Sequence, residues 1–273
     1  MNDRNGIERS LGVELRYECD LARMPAKLAE SFVLLDFDAE GAAFVRRATR
    51  ERSGRLRSFA QYLLRAYVGD FDANALLGMY PMHLLGTEQW RRLLGAGAHG
   101  RLLDVGAGSG DVTAALAPCF SEVVTTELVR AAARRMRRRG IPCLSHDVAE
   151  RGAPDPPYDV IACLNVLDRT SRPRALLSRM LDALARGGHL LIALALPYDP
   201  FVYSGGDSVP PAESLAVSSA QFEDAVTELI QNELEPRQLR VEAWTRAPYL
   251  SGGDAHRALY VLDDVVLSCL RSA

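Results

Sequence analysis

The feature that most constrains this fold is an apolar run that ends in three closely spaced glycines, LLDVGAGSG at residues 102–110. Such a run is typical of a β-strand that turns sharply into a helix, because glycine adopts left-handed backbone angles without steric cost. Seventeen residues after Gly110, a second apolar run ends in a lone acid, Glu127. Together these features predict a ligand site at a strand-to-helix turn of an α/β sheet.

Strand-like and helix-like segments alternate from residue 101 onward. Strands are predicted at 101–105, 122–127, 143–144, 158–165 and 189–196, and helices at 112–116, 130–139 and 174–186, the last ended by two glycines. This alternation predicts parallel strands with right-handed crossovers. The final part of the chain predicts a helix at 221–233, then strands at 239–244 and within 259–270, joined by a short loop at 249–257. The sequence therefore predicts an α/β fold with a mostly parallel, seven-stranded sheet and an antiparallel edge strand.

Residues 1–98 lack this alternation. Apolar residues recur there at helical spacing, as at 24–35 and 59–68, between charged and polar side chains. We therefore predict a helical N-terminal cap over residues 1–98 and a ligand-binding domain over 99–273. A segment rich in Pro, Gly, Tyr and Ser at 197–211 predicts a long loop, and loops of this length are often functional.

The composition argues against several classes of function. The formal net charge is −3, so the chain has no bulk attraction to nucleic acid or to an acidic membrane surface. No apolar run reaches the roughly 20 residues that span a bilayer, and the charged N-terminus does not resemble a secretory signal. Five scattered cysteines argue against both a disulfide framework and a metal site. We expect a cytoplasmic protein without metal, nucleic acid or membrane partners, and the sequence leaves its oligomeric state open.

Two common phosphate-binding motifs do not fit the glycine turn. A P-loop requires Gly-Lys-Ser/Thr after the glycines, whereas Asp111 and Val112 stand there. The spacing Gly106-x-Gly108-x-Gly110 also differs from the G-x-G-x-x-G of dinucleotide-binding folds.

The acids around the turn favour a cationic nucleotide ligand instead. Asp104 would repel a pyrophosphate but attract a cation, and S-adenosylmethionine carries both a sulfonium and an ammonium group. The carboxylate of Glu127 can accept hydrogen bonds from both ribose hydroxyls. A structural interpretation stays open, in which Asp104 caps a helix and Glu127 merely ends a strand.

Further polar residues follow the next strands of the predicted sheet. Asp147 follows the third strand and is a candidate for binding the adenine amino group, although it could equally lie in a solvated loop. Asn165 and Asp168 follow the fourth strand, and ligands bind at the carboxyl ends of parallel strands. We therefore expect both to face the methyl donor. The alternative for Asp168 is a capping role for the helix that follows Arg172.

Read together, several stretches resemble the DREV-type class I methyltransferases, which are protein-histidine N-pros-methyltransferases. The similar stretches are LDVGAG (103–108) with DVT (111–113), TEL (126–128), CLNVLDR (163–169), LALP (194–197) leading to Pro200, EAWTR (242–246) with PYL (248–250), and YVLDD (260–264). They span residues 101 to 267, and residues 76–78 show a weaker similarity. The segment at 78–82 departs from the more basic, glycine-containing segment expected of the family, which could alter substrate preference.

The resemblance implies a Rossmann-like class I fold and methyl transfer from S-adenosylmethionine to the pros nitrogen of a histidine, typically in a His-x-His peptide. It implies that Glu127, Asn165 and Tyr249 contact the cofactor, and that Asp168 and Tyr260 hold the target imidazole. With Asn165, these last two are the candidate catalytic residues, whereas Asp104, Gly106, Gly108, Gly110 and Asp147 complete the candidate cofactor site.

Two alternatives to a protein-histidine substrate remain at this stage. One is a methyltransferase for a small imidazole, such as free histidine or a histidine dipeptide. The other is a cofactor-binding protein that has lost catalysis. A nucleic-acid methyltransferase is disfavoured, because the stretch after the fourth strand is not an aromatic Pro-Pro-Tyr-type motif.

Overall fold

The structure is a computed structural model that describes residues 4–50, 80–95, 99–204, 207–253 and 257–271. The helix predicted at 59–68 and the weaker family similarity at 76–78 lie outside the described residues. In the described part of the chain, no helix is both long and apolar enough to cross a membrane.

From residue 99 onward, the predicted strands and helices occur in the predicted order, together with further short elements. The strands are β1 (Met82–His83), β2 (His99–Val105), β3 (Phe120–Thr126), β4 (Cys143–Leu144), β5 (Tyr158–Leu164), β6 (Leu184–Ala195), β7 (Val202–Ser204), β8 (Asp207–Val209), β9 (Leu239–Gly252) and β10 (Leu259–Arg271). The helices are α1 (Arg4–Leu11), α2 (Ala26–Glu30), α3 (Ala39–Arg50), α4 (Thr87–Leu94), α5 (Asp111–Leu116), α6 (Arg130–Arg138), α7 (Val148–Arg151), α8 (Pro173–Ala183) and α9 (Phe222–Leu229).

Eight of the described strands form one sheet in the order β1-β9-β10-β6-β5-β2-β3-β4. The pairs β2–β3, β2–β5, β3–β4 and β5–β6 are parallel, whereas β6–β10, β10–β9 and β9–β1 are antiparallel. The predicted Rossmann-like α/β fold is therefore confirmed. The predicted count of seven strands is one short, because residues 82–83 add a short strand to β9.

The strand order creates a crevice where ligands bind in folds of this kind. From β2 the chain moves outward to β3 and β4, and then crosses back to β5 on the other side of β2. Loops that leave the carboxyl ends of β2 and β5 therefore diverge. Apolar side chains cover both sheet faces, and the interior of β5 is buried on each, as its near-continuous apolar sequence predicts.

Helix α8 ends earlier than its sequence suggests. The sequence predicts a helix that continues to residue 186 and ends at the following two glycines. In the structure the helix ends at Ala183, and β6 begins with Leu184, which pairs with Tyr158. The glycines lie where the β5–β6 register shifts. A Cβ at Gly188 would stand 2.9 Å from the Asp159 carbonyl oxygen, so the glycine permits close backbone approach within the sheet.

The C-terminal elements are longer than predicted. Strand β9 continues past residue 244 to Gly252, and β10 pairs with it from Leu259 to Arg271, so residues 249–252 of the predicted loop at 249–257 belong to β9. Helix α9 passes into a π-helical turn, Ile230–Leu234. Part of the predicted long loop forms a two-stranded ribbon, β7–β8.

The N-terminal region is helical in part and packs directly on the sheet. The predicted helix at 24–35 is confined to Ala26–Glu30, because Ser31 and Val33 exchange backbone hydrogen bonds with Trp244 of β9. The Trp244 indole also donates to the Leu28 carbonyl oxygen over 2.7 Å. The division into a 1–98 cap and a 99–273 domain remains a proposal, and strand β1 of the cap extends the sheet.

Candidate active site

The glycine turn follows β2 and leads directly into α5. Gly106, Gly108 and Gly110 have φ angles of 69°, 58° and 75°, all in the left-handed region. The Ala107 N–H donates to the Thr126 carbonyl oxygen over 3.1 Å, which fixes the turn to the end of β3. A Cβ at Gly106 would lie 2.7 Å from Val166 Cγ2. Glycine is therefore required at Gly106 for both backbone angle and space.

We expect Gly106→Ala to lower the free energy of unfolding by about 3 kcal/mol, because left-handed angles cost about 1–2 kcal/mol and overpacking adds about 1–3 kcal/mol. Gly140→Ala is a matched control: its φ is 78°, but no described atom lies within 4 Å of a Cβ there. That control should lose only about 1 kcal/mol. Urea unfolding measures both variants, and equal losses would contradict the packing argument.

The carboxylate of Glu127 lies against this turn. It is 8% exposed, and it accepts the Gly108 N–H over 2.8 Å and the Val129 N–H over 2.7 Å, one on each oxygen. Burial raises the pKa of Glu127, and these backbone donors partly offset that effect. A carboxylate offers about four lone-pair positions. Glu127 can therefore accept further hydroxyl donors from a ligand held at the turn.

Asp104 is buried at the end of β2 and contacts helix α5. The carboxylate is 2% exposed and accepts the Thr113 hydroxyl of α5 over 2.6 Å. Burial raises the pKa of Asp104 to about 7, with a contribution from nearby Glu127. The hydrogen bond between Thr113 and Asp104 therefore links α5 to β2, and the sequence did not predict this contact. Contact with a ligand cation remains a prediction.

Asp147 follows β4 at the same edge of the sheet and caps helix α7. Its Oδ1 accepts the N–H groups of Ala149, at 2.9 Å, and Glu150, at 3.2 Å. The residue is half-buried. A cap of this kind engages one oxygen, so the other carboxylate oxygen can still accept from an adenine amino group.

Asn165 follows β5 directly and is fixed at both backbone and side chain. Its φ is 58°, and its N–H donates to the Ala193 carbonyl oxygen over 2.9 Å. The Nδ2 group donates to Asp264 Oδ2 over 2.6 Å. Asp264 lies on β10 and is 0% exposed. Asp264 belongs to the YVLDD stretch that resembles the family, and its position before the apolar run VVLSCL is a sequence signal for a buried polar group.

Asp168 lies three residues beyond Asn165 and is 3% exposed. Its Oδ2 forms an ion pair with Arg169 over 2.8 Å. Burial raises the pKa of Asp168, and the Arg169 guanidinium partly offsets that rise. The capping alternative is wrong, because α8 begins after Arg172 and no side-chain bond caps its first turn.

Three buried acceptor atoms in this region lack a hydrogen-bond donor among the described residues: Oδ1 of Asn165, of Asp168 and of Asp264. Burial raises the pKa of Asp264 well above its usual range, and the charge of Asp168 adds to that rise. Leaving such atoms unpaired costs about 1–3 kcal/mol each. The cluster therefore fits a ligand that carries N–H donors or positive charge, and S-adenosylmethionine carries both.

Tyr249 connects this cluster with the glycine turn through Met82. The ring is largely buried, and its hydroxyl contacts the Met82 sulfur. Burial raises the pKa of Tyr249, and Asp264 and Asp168 add to the effect. Met82 Cε would lie 3.3 Å from a Cβ at Gly108. Met82 belongs to the segment in which the sequence departs from the family, and no sequence pattern predicts this contact.

Tyr260 is the second residue of β10. It lies four positions before Asp264, which corresponds to about 13 Å on an extended strand. It lines a groove of about 310 Å³ with residues that include Val13, Arg16 and Pro248. The Arg257 guanidinium lies 5.9 Å from the Tyr260 ring centroid. Tyr260 thus lies apart from the Asn165 cluster, at a groove that is open to solvent and that Asn165, Asp168 and Asp264 do not line.

Comparison with known proteins gives one family and several distant structural relatives. The family model described as DREV methyltransferase matches residues 16–270. The N-methyltransferase NodS from Bradyrhizobium japonicum WM9, solved with S-adenosyl-L-homocysteine, is 18% identical, covers 68% of this chain and 86% of its own, and has a TM-score of 0.45. The glycopeptide N-methyltransferase MtfA, solved with S-adenosyl-L-methionine, is 18% identical. The match covers 68% of this chain and 94% of MtfA, with a TM-score of 0.43.

Proposed function

This chain belongs to the DREV methyltransferase family, and on that premise we propose that it methylates the pros nitrogen of a histidine in a protein or peptide, within His-x-His motifs. As a member it is a methyltransferase that uses S-adenosylmethionine. The observation that supports the histidine substrate best is Asp168, a buried carboxylate with one oxygen on Arg169 and the other without a donor in the described structure.

The cofactor would lie across the carboxyl ends of β4, β3, β2 and β5. Asp147 would accept from the adenine amino group, Glu127 from the ribose hydroxyls, and the turn of Gly106, Gly108 and Gly110 would let the backbone approach closely. Asn165 and Tyr249 would contact the methionine end, and Asp104 would hold α5 to β2. Bound S-adenosylmethionine supplies an electrophilic methyl group on a positively charged sulfur.

Asp168 would select the nitrogen that reacts. A neutral imidazole has one N–H and one lone pair, and with an ordinary pKa of about 6.5 it is mostly neutral at pH 7. A carboxylate that accepts the tele N–H fixes this tautomer, so the pros lone pair faces the methyl group. The new N–C bond forms as the S–C bond breaks, and the bonding electron pair goes to sulfur. Placement in line supplies most of the rate.

The same carboxylate would receive the proton that the product must lose. Methylation leaves an imidazolium whose tele N–H points at Asp168 Oδ1, and the proton passes to that oxygen and then to solvent. Burial raises the pKa of Asp168, which makes its carboxylate a better proton acceptor. Tyr260, in the groove that it lines with Pro248, would be a second positioning group for the target histidine.

A labelled-methyl assay tests the substrate class. The protein is incubated with methyl-labelled S-adenosylmethionine and a His-Ala-His peptide, the same peptide with each histidine replaced by alanine, and free histidine. We expect label on His-Ala-His and loss of label when the accepting histidine is replaced. Label on free histidine alone would favour the small-imidazole alternative. Cofactor binding without label on any substrate would contradict the proposal and favour an inactive binding protein.

We also propose a cytoplasmic location for this activity. The five cysteines are unpaired in the structure, and three of them are buried. Free thiols of this kind are typical of proteins from a reducing compartment. Fractionation of cells that express the untagged chain measures the location, and recovery in a membrane or secreted fraction would contradict it.

A further inference from the structure

Asp264 is a carboxylate in the middle of the sheet, and the proposed mechanism does not use it. It lies on β10, between Ala195 of β6 and Ala247 of β9, with none of its surface exposed. Burying a carboxylate is costly unless it is hydrogen bonded. The hydrogen bond recorded for its side chain comes from Asn165 Nδ2 over 2.6 Å, a contact that joins residues 99 positions apart.

This contact determines which way the Asn165 amide faces. In either protonation state the Asp264 carboxyl group keeps an oxygen that accepts hydrogen bonds. The Asn165 Nδ2 group faces that acceptor, so the amide oxygen faces away from it. That oxygen, Oδ1, is buried and meets no donor within the described chain. The backbone of Asn165 is also held, by its bond to Ala193. Asn165 is therefore presented as a fixed acceptor.

The sheet order indicates which part of the cofactor this acceptor meets. Strands β3 and β5 flank β2, so Glu127 and Asn165 follow strands about 10 Å apart. With the ribose at Glu127 and the adenine farther out at Asp147, the methionine end extends toward β5. Its α-ammonium group carries N–H donors and a positive charge, which the buried Asn165 amide oxygen would accept.

We propose that Asp264 is a positioning residue that holds the Asn165 amide with its oxygen toward the α-ammonium group of the cofactor. This inference rests on the proposed assignment of Glu127 and Asn165 to the cofactor, and it does not depend on histidine as the substrate. Asp264 acts through Asn165, so removing Asp264 should matter only while Asn165 is present.

A double-mutant cycle on cofactor affinity tests this dependence. Calorimetry with S-adenosylhomocysteine gives Kd for the unmodified chain, Asn165→Ala, Asp264→Ala and the double variant. We expect each single variant to bind about tenfold more weakly, the loss of one hydrogen bond to a charged group, and the double variant to lie within about threefold of Asn165→Ala. A double variant weaker than that would overturn the proposal, as would an Asp264→Ala variant with unchanged Kd.

A second ligand separates positioning from a general loss of structure. 5′-Methylthioadenosine keeps the adenine and ribose but lacks the α-ammonium group. Its Kd should stay within about twofold in Asp264→Ala, since the lost contact is absent from this ligand. Equal weakening of both ligands would overturn the proposal. Ser268→Ala is the control, because Ser268 is a buried polar residue of the same strand that contacts His189 instead, and it should bind both ligands normally.

Conservative variants keep the proposal testable if Asp264→Ala does not fold. In Asp264→Asn the amide oxygen can accept the same bond, so Kd for S-adenosylhomocysteine should stay within about threefold, and a larger loss would overturn the proposal. Asp264→Leu removes the acceptor at similar volume and should match the alanine variant. These binding measurements use no histidine, so they stand or fall separately from the labelled-methyl assay.

Discussion

Replacing Asp168 with alanine is expected to lower kcat for methyl transfer by about 1,000-fold, within the range of 10²–10⁴ that a positioned proton acceptor contributes. The substitution removes the carboxylate that would hold the tele N–H and take the proton. The Kd for S-adenosylhomocysteine should change by less than about threefold, because Glu127 and Asn165 carry the cofactor contacts in the proposed arrangement. Single-turnover kinetics and calorimetry measure the two quantities.

Two further variants complete this test. Asp168→Asn keeps the shape and one acceptor oxygen but cannot take a proton, so its kcat should fall between those of the unmodified chain and the alanine variant. Asp182→Ala removes an exposed acid of α8 and should leave both kcat and Kd unchanged. A large loss of cofactor affinity in Asp168→Ala would contradict the assignment, since Asp168 would then belong to the cofactor site.

Replacing Glu127 with alanine is expected to raise the Kd for the cofactor by about 100-fold. Hydrogen bonds to a charged group contribute about 1.5–3 kcal/mol each, and the ribose offers two hydroxyls. The alanine also releases the Gly108 and Val129 N–H groups that Glu127 holds. At saturating cofactor, kcat should fall less than Kd rises. Calorimetry with S-adenosylhomocysteine measures Kd.

Glu122→Ala is the matched control for this prediction. Glu122 lies on the same strand, at its start, where it pairs with Arg101 and its side chain is 54% exposed. Its removal should leave Kd unchanged. If Glu127→Ala binds the cofactor as tightly as the unmodified chain, the ribose assignment is wrong.

The sequence predicts the site residues that directly follow parallel strands. Gly106, Glu127 and Asn165 each come directly after an apolar run, and the carboxyl ends of such strands meet at one edge of the sheet. The alternation of strands and helices was therefore enough to place them together, and the structure brings all three to the β2 crevice. The same reasoning gave the Rossmann-like fold.

The contact between Asn165 and Asp264 could not be predicted in this way. It depends on β10 entering the sheet between β6 and β9, and a strand pattern does not specify which neighbours an antiparallel strand takes. The Met82 contact depends on a two-residue strand that is too short to give a periodic signal. The early end of α8 likewise depends on the pairing of Leu184 with Tyr158, where sheet contacts override a helical pattern.

The measurement that tests the central claim most directly is the identity of the methylated nitrogen. The labelled His-Ala-His product is hydrolysed, and its methylhistidine is compared with authentic pros and tele isomers by chromatography and mass spectrometry. We expect pros-methylhistidine, because Asp168 would hold the tele N–H away from the methyl group. Tele-methylhistidine as the product would contradict the orientation assigned to Asp168 and, with it, the proposed mechanism.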